Sequence, residues 1–231
     1  MTKNPINLTE QLAGMMVKIP AGQITLRDDR TKQQWTQTIN AFYLSKYLIT
    51  QDLYFKITSE NPSTFVGDKK PVETVSWLSC AIFCNTLSYL TGLIPYYIIN
   101  PENSDFKVNP QSSGYRLPTD AEWEYACKAG QANPQYGNIN AIAWYKQNAN
   151  SQTQQVGLKE PNNWGLYDML GNVWEWCSDI YDQTVYGSYR IIRGGGWNDE
   201  ERGCLATNRR RSHPTAYKID DLGFRIAQNS E

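Results

Sequence analysis

The sequence predicts a mixed α+β domain of short strands, two or three helices and much ordered loop. Three observations carry this expectation. Ser76 and Thr119 each stand where a helix cap belongs, ahead of apolar residues at helical spacing. β-rich runs such as Phe42 to Ile49 end at turn-forming residues. Beyond Gly130 the chain is rich in Asn, Gln, Gly and Tyr and keeps neither a strand nor a helix period. With 231 residues and 40% hydrophobic content the chain can bury one sizeable core, and lengths up to about 250 residues remain compatible with a single domain.

In chain order, Met15 to Gly22 reads as a strand ended by a turn, and Ile24 and Leu26 alternate into a second strand, so the two predict a hairpin. After the run from Phe42 to Ile49, Thr50 is placed to cap a helix that carries Tyr54 and Ile57 on one face. That helix should stop near Asn61-Pro62, because a residue before proline avoids helical geometry. Ser76 caps a second helix with Ala81, Cys84, Leu87 and Leu90 on one face, ended by Gly92. In a third, Thr119 and Glu122 have the spacing of a capping box, and Trp123, Ala126 and Cys127 share a face before Gly130. Gly187 to Arg193 predicts a strand before the turn Gly194-Gly195-Gly196, and Leu222 to Ala227 a closing strand. The triple glycine lacks the Lys-Ser/Thr of a phosphate loop and fits a tight turn with positive φ.

Lys and Arg number 22 against 23 for Asp and Glu, a net charge of -1. That removes the positive field on which binding to nucleic acid or an anionic membrane draws, so neither partner is expected. The first residues are polar, without the apolar core of a signal peptide, and no stretch approaches the roughly 20 apolar residues of a membrane helix. A cytoplasmic location is the expectation. Cys80, Cys84, Cys127, Cys177 and Cys204 are odd in number and irregularly spaced, which signals neither a disulfide framework nor a zinc cage. They read as small buried apolar residues. Eight Trp and 15 Tyr predict aromatic packing beneath polar loops, and Trp174 and Trp176 are read as buried loop anchors.

Four motifs follow one another: Tyr115-Arg116-Leu117-Pro118-Thr119-Asp120-Ala121-Glu122-Trp123-Glu124; Gly165 to Trp176, ending Gly171-Asn172-Val173-Trp174-Glu175-Trp176; Arg193-Gly194-Gly195-Gly196-Trp197; and Gly223-Phe224-Arg225. With Ile19-Pro20-Ala21-Gly22 and Pro71 to Trp77, they resemble the formylglycine-generating enzyme (sulfatase-modifying factor) family. The resemblance implies an irregular α+β fold related to C-type lectins. It runs from about Gly14 to Ala227, which assigns residues 14–228 to the domain and 1–13 to an N-terminal extension.

The enzymes of that family oxidise a substrate cysteine with oxygen and hold copper(I) between two cysteines after the Arg-Gly-Gly turn. The resemblance places Asp199 at the first of these positions and Cys204 at the second. A lone thiolate beside a hard carboxylate is a poor copper(I) site, so copper is not expected. A related branch of sulfoxide synthases uses iron held by three histidines, and this chain has only His213, read as a loop residue. The resemblance also implies structural calcium, bound by side-chain oxygens of Asp168 and Glu175 and the backbone carbonyls of Gly171 and Val173, hard ligands of the kind calcium requires. The other reading of these carboxylates is a turn cap at Asp168 and an arginine partner for Glu175.

Between the last two motifs lies a charged stretch of both signs. Its candidate binding residues are Trp197, Asp199, Glu200, Arg202, Arg209, Arg211, His213 and Tyr217. The alternative is a set of local ion pairs. The stretch also resembles the variable proteins of diversity-generating retroelements, which display a hypervariable segment near the closing Gly-Phe-Arg. There, mutagenesis of asparagine codons excludes Glu and Lys, so Glu200, Glu201 and Lys218 would be template-fixed. The sequence thus points to a non-oxidase member of the family that binds a protein or peptide through residues 197–221. The alternative is an oxygen- and copper-dependent oxidase of cysteine peptides, with Cys204 as its catalytic residue.

Overall fold

The computed structural model describes residues 8–100, 106–109 and 111–230. Its helices start where the caps predict. Helix α1 spans Leu8–Met15 and is followed by strands β1 (Met16–Ile19), β2 (Gly22–Arg27), β3 (Gln34–Ile39) and β4 (Phe42–Ser45). Helices α2 (Gln51–Thr58) and α3 (Trp77–Leu90) come next, then β5 (Tyr97–Ile99), β6 (Phe106–Val108), β7 (Tyr115–Arg116), α4 (Asp120–Lys128) and α5 (Ile139–Ile142). The remainder is β8 (Trp174–Ile180), α6 (Gln183–Tyr186), β9 (Arg190–Arg193), β10 (Arg209–Ser212), β11 (Leu222–Gly223) and β12 (Ala227–Asn229).

The side chains of Thr50 and Ser76 accept from the backbone N–H groups of Leu53 and Ser79, and Thr119 and Glu122 form a reciprocal capping box. Each cap satisfies a donor that the first turn would otherwise leave orphaned. Helix α2 stops at Thr58, just short of Asn61-Pro62, on Ser59 in the left-handed conformation.

Two four-stranded sheets organise the chain, in the orders β1-β4-β12-β7 and β10-β9-β8-β11. The second lies between two hydrophobic clusters because strand side chains alternate faces. From β8, Trp174 and Trp176 enter one cluster with Trp77, Phe83 and Phe224, while Cys177 enters the other with Trp123, Leu166 and Met169. Strand β9 divides Ile191 and Ile192 in the same way. Both tryptophans are buried anchors, with indole N–H groups donating to Asp199 Oδ2 and to the Val75 carbonyl.

Several expectations are corrected. β1 and β2 do not form a hairpin: β1 pairs with β4, and β2 pairs with β3. Pro20, between them, has no N–H with which to continue a ladder. The closing strand is two strands, since Leu222–Gly223 joins β8 and Ala227–Asn229 joins β4 and β7. Helix α1 buries Leu12 in the second cluster. Two short helices, α5 and α6, lie in the region read as loop and short strands.

Gly171 and Gly165 both have positive φ, 76° and 78°. A side chain at Gly165 would meet open space, whereas at Gly171 it would collide with the carbonyl of Trp144. Gly165→Ala should therefore cost only the left-handed strain of about 1–2 kcal/mol. Gly171→Ala should cost clearly more in a denaturant melt.

Candidate functional site

The loop surface rests on buried arginines. Arg193, fully buried, donates through Nε to Asp120 Oδ1 (2.6 Å), lies 3.1 Å from Glu124, and donates to the Ala206 carbonyl (2.8 Å). Arg209 comes down from β10 onto the other oxygen of Asp120 (2.8 Å), with Asp28 at 3.6 Å. Strand β9 and helix α4 thus fix residues 206–209 from below. The pairs are shared, so removing one charge leaves its partners buried with only part of their compensation.

Above this foundation opens a cleft of about 570 Å³. The loop supplies Asn198, Asp199, Glu200, Arg202 and Arg210, and the β2–β3 turn faces it with Arg27, Asp29 and Arg30. The nominated residues divide. Glu200 and Arg202 are exposed on the rim, Glu200 pairing with Lys146 at 2.8 Å. Asp199 is engaged: its Oδ2 accepts from Trp174 Nε1 (2.6 Å) and the Gly196 N–H (2.9 Å), and its Oδ1 lies 3.3 Å from Arg210.

Arg209 lines the cleft with a side chain only 8% exposed and bonded to Asp120, whereas Arg210, not nominated, is 57% exposed. Trp197 packs edge-on against Phe65 and donates to the Asp220 carbonyl, away from the cleft. Arg211 stacks on Tyr186 at 3.7 Å, outside the cleft lining, and Tyr217 is 37% exposed and also outside it. His213 faces a different cleft, where its Nδ1 accepts from the Ala216 N–H. Beyond Gly203, Thr207 and Asn208 of the loop, the rest of the lining is Tyr181 and the three β2–β3 residues. Their distance along the chain left no sequence signal.

Cys204 is buried and its thiol is pushed up to about 12, by burial first and then by the charge of Asp199. All five cysteines are unpaired and buried. One protonated thiol beside a carboxylate already bonded to Trp174, Gly196 and Arg210 does not fit copper(I), whose preferred ligands are soft thiolates.

At the calcium positions, the arginine partner read as the alternative for Glu175 is present. Both oxygens of Glu175 are bonded to Arg225, at 2.6 and 2.9 Å, and Arg225 also donates to the carbonyls of Ser45 and Tyr167. Asp168, at φ 53°, accepts the Gly157 N–H on Oδ2, and its Oδ1 is buried without a partner. Calcium takes about 6 to 8 oxygens. With Glu175 neutralised by a guanidinium, the four positions as arranged do not fit it.

These features define a loop-displaying scaffold, and comparison with known proteins gives its family. The Sulfatase-modifying factor enzyme 1-like domain matches residues 3–230, and the chain belongs to that family. It is 32% identical to the Chaperone protein LppX of Paenibacillus barcinonensis, over 82% of this chain and 86% of that protein. It is 28% identical to the formylglycine-generating enzyme of Streptomyces coelicolor, over 62% of this chain and 56% of the enzyme. Among solved structures it is similar to Treponema denticola variable protein 1, with a TM-score of 0.84 and 31% identity, covering 93% and 95% of the two chains. The fold expected from the motifs is the fold observed. Among the described residues, no helix is long and apolar enough to cross a membrane.

Asp179 provides a pH test of the foundation. Burial, and then the charge of Asp120, push its carboxyl up to about 6 from 3.8. Between those values the folded protein holds more protons than the unfolded chain, so this group's contribution falls as pH rises through 6. Asp179→Asn keeps an oxygen for the Asp120 N–H, which Asp179 Oδ2 accepts at 2.6 Å. It should raise Tm at pH 7.5 by about 2 °C or more and leave it nearly unchanged at pH 4, read by calorimetry.

Proposed function

We propose that this protein is a cytoplasmic, non-oxidase member of its family that binds a protein or peptide through the cleft built on residues 197–221, as a retroelement-diversified variable protein would. The observation that carries the reading is the division of labour in the loop. Asp199 and Arg209 are bonded into the scaffold, while Glu200, Arg202 and Arg210 point outward over a fixed foundation. Binding residues on ordered loops over a rigid core are a recurrent arrangement. Similarity to Treponema denticola variable protein 1 over nearly the whole chain supports the variable-protein form of the reading. The named chaperone relative favours a protein as the partner.

The test is a partner screen with the wild type and the triple variant Glu200→Ala, Arg202→Ala, Arg210→Ala. A partner bound by the wild type and lost from the triple variant at unchanged Tm is the expected result; equal retention by both overturns the cleft as the binding surface. A neighbouring reverse transcriptase gene and an adenine-rich template repeat would be expected for the diversified form. The oxidase alternative is tested with copper(I), oxygen and a cysteine peptide. No turnover is expected, and turnover abolished by Cys204→Ser would reinstate the enzyme.

In this reading Arg225, and not calcium, secures Glu175. Adding millimolar calcium or a chelator should leave Tm unchanged. A rise with calcium that disappears in Asp168→Ala would restore the metal site.

A further inference from the structure

A second cleft, of about 1060 Å³, is bordered by strands β5 and β6, the start of α3, α6 and the loop at 213–215. Its walls mix polar groups with an apolar part in which Trp77, Ile98 and Phe106 are prominent. Two cationic side chains, Lys107 and Arg190, and the imidazole of His213 line it, and no Asp or Glu does among the described residues. Volume and lining are those of a small-molecule site, in which a few polar groups orient a ligand held by apolar walls.

Arg190 is the unusual member. It is 9% exposed, and its guanidinium carbon sits 4.5 Å from the ring centre of Trp77 and 4.6 Å from that of Phe106. Nη1 donates to the Ser178 carbonyl at 2.7 Å, while Nε is buried without a partner. The other deeply buried arginines, 116, 193, 209 and 225, all pair with carboxylates. Arg190 has no such ion pair among the described residues. Aromatic faces offset part of the cost of burying a cation, but they supply no hydrogen-bond acceptor to Nε.

We propose that this cleft binds a small organic acid whose carboxylate meets Arg190 and whose apolar chain or ring lies against Trp77, Ile98 and Phe106. The charge is complementary: a carboxylate supplies Nε of Arg190 with an acceptor, which it does not have among the described residues, and Lys107 adds to the attraction. The apolar part of the wall favours an occupant with an apolar body over a bare inorganic anion, which would leave it facing water. This inference is independent of the loop cleft.

The test is calorimetric titration of the full chain with decanoate, decanol and decylammonium. Decanoate should bind saturably, decanol at least tenfold more weakly, and decylammonium not at all. Arg190→Gln should weaken decanoate at least tenfold. Should that variant fail to fold, Ile98→Glu, at a wall position 55% exposed, should produce the same loss at unchanged circular dichroism. The Glu200, Arg202, Arg210 triple variant should bind decanoate like the wild type, which separates this site from the loop cleft. A peptide C-terminus presents the same chemistry, so N-acetyl-Ala-Val-Leu is titrated as acid and as amide. Tighter binding of the peptide acid than of decanoate identifies a peptide end, and the reverse identifies a free organic acid. Binding of neither acid, equal affinity for decanoate and decanol, or decanoate affinity unchanged in the substituted cleft overturns the proposal.

Discussion

The structure depends first on Arg225. Its guanidinium is fully buried and spends its donors on both oxygens of Glu175 and the carbonyls of Ser45 and Tyr167. It therefore ties the end of β4, the loop before Asp168 and strand β8 to the segment between β11 and β12. Those strands belong to different sheets, so one side chain sets how the two sheets meet. Buried ion pairs add little net stability over an apolar replacement, yet an arrangement that leaves one partner bare is heavily penalised. The pair thus selects among ways of folding more than it deepens the chosen one.

Arg193 repeats the device beneath the loop, with Asp120 and Glu124 on α4, and Arg209 extends it. The three successive arginines of β10 consequently have separate fates. Arg209 is drawn inward, Arg210 lies over Trp174 on the opposite face, and Arg211 stacks on Tyr186. By strand alternation Arg209 and Arg211 share one face, both over Tyr181, and Arg210 takes the other; the carboxylate of Asp120 is what makes Arg209 structural.

The parts legible in the sequence were those governed by nearest neighbours. Thr50, Ser76 and Thr119 announced their helices because capping is settled within three residues. The four motifs gave the family because they report several long-range contacts at once. The hairpin misreading has the opposite origin: β1 alternates well enough to be a strand, but its partner β4 is set by packing some 25 positions further on. Helix α1 was hidden because a single buried residue, Leu12, anchors it. At the loop cleft, Glu200 and Arg202 were found from charge and placement. Arg27, Asp29 and Arg30 were not, since only the folded chain brings the β2–β3 turn across from them. Arg190 gave no signal either, as an arginine in a β-rich run says nothing about whether a carboxylate will reach it.

Strand β12 occupies an interior place in the first sheet, between β4 and β7, although it follows both in the chain by more than a hundred residues. On the ribosome, β4 and β7 therefore emerge with facing edges that nothing yet joins, and each is a template for unwanted pairing with other chains. The sheet closes only after β12 has been made, a late and distant contact of the kind that slows folding. Whatever protects the nascent polypeptide during that interval has as much bearing on how much active material accumulates as the strength of the finished fold.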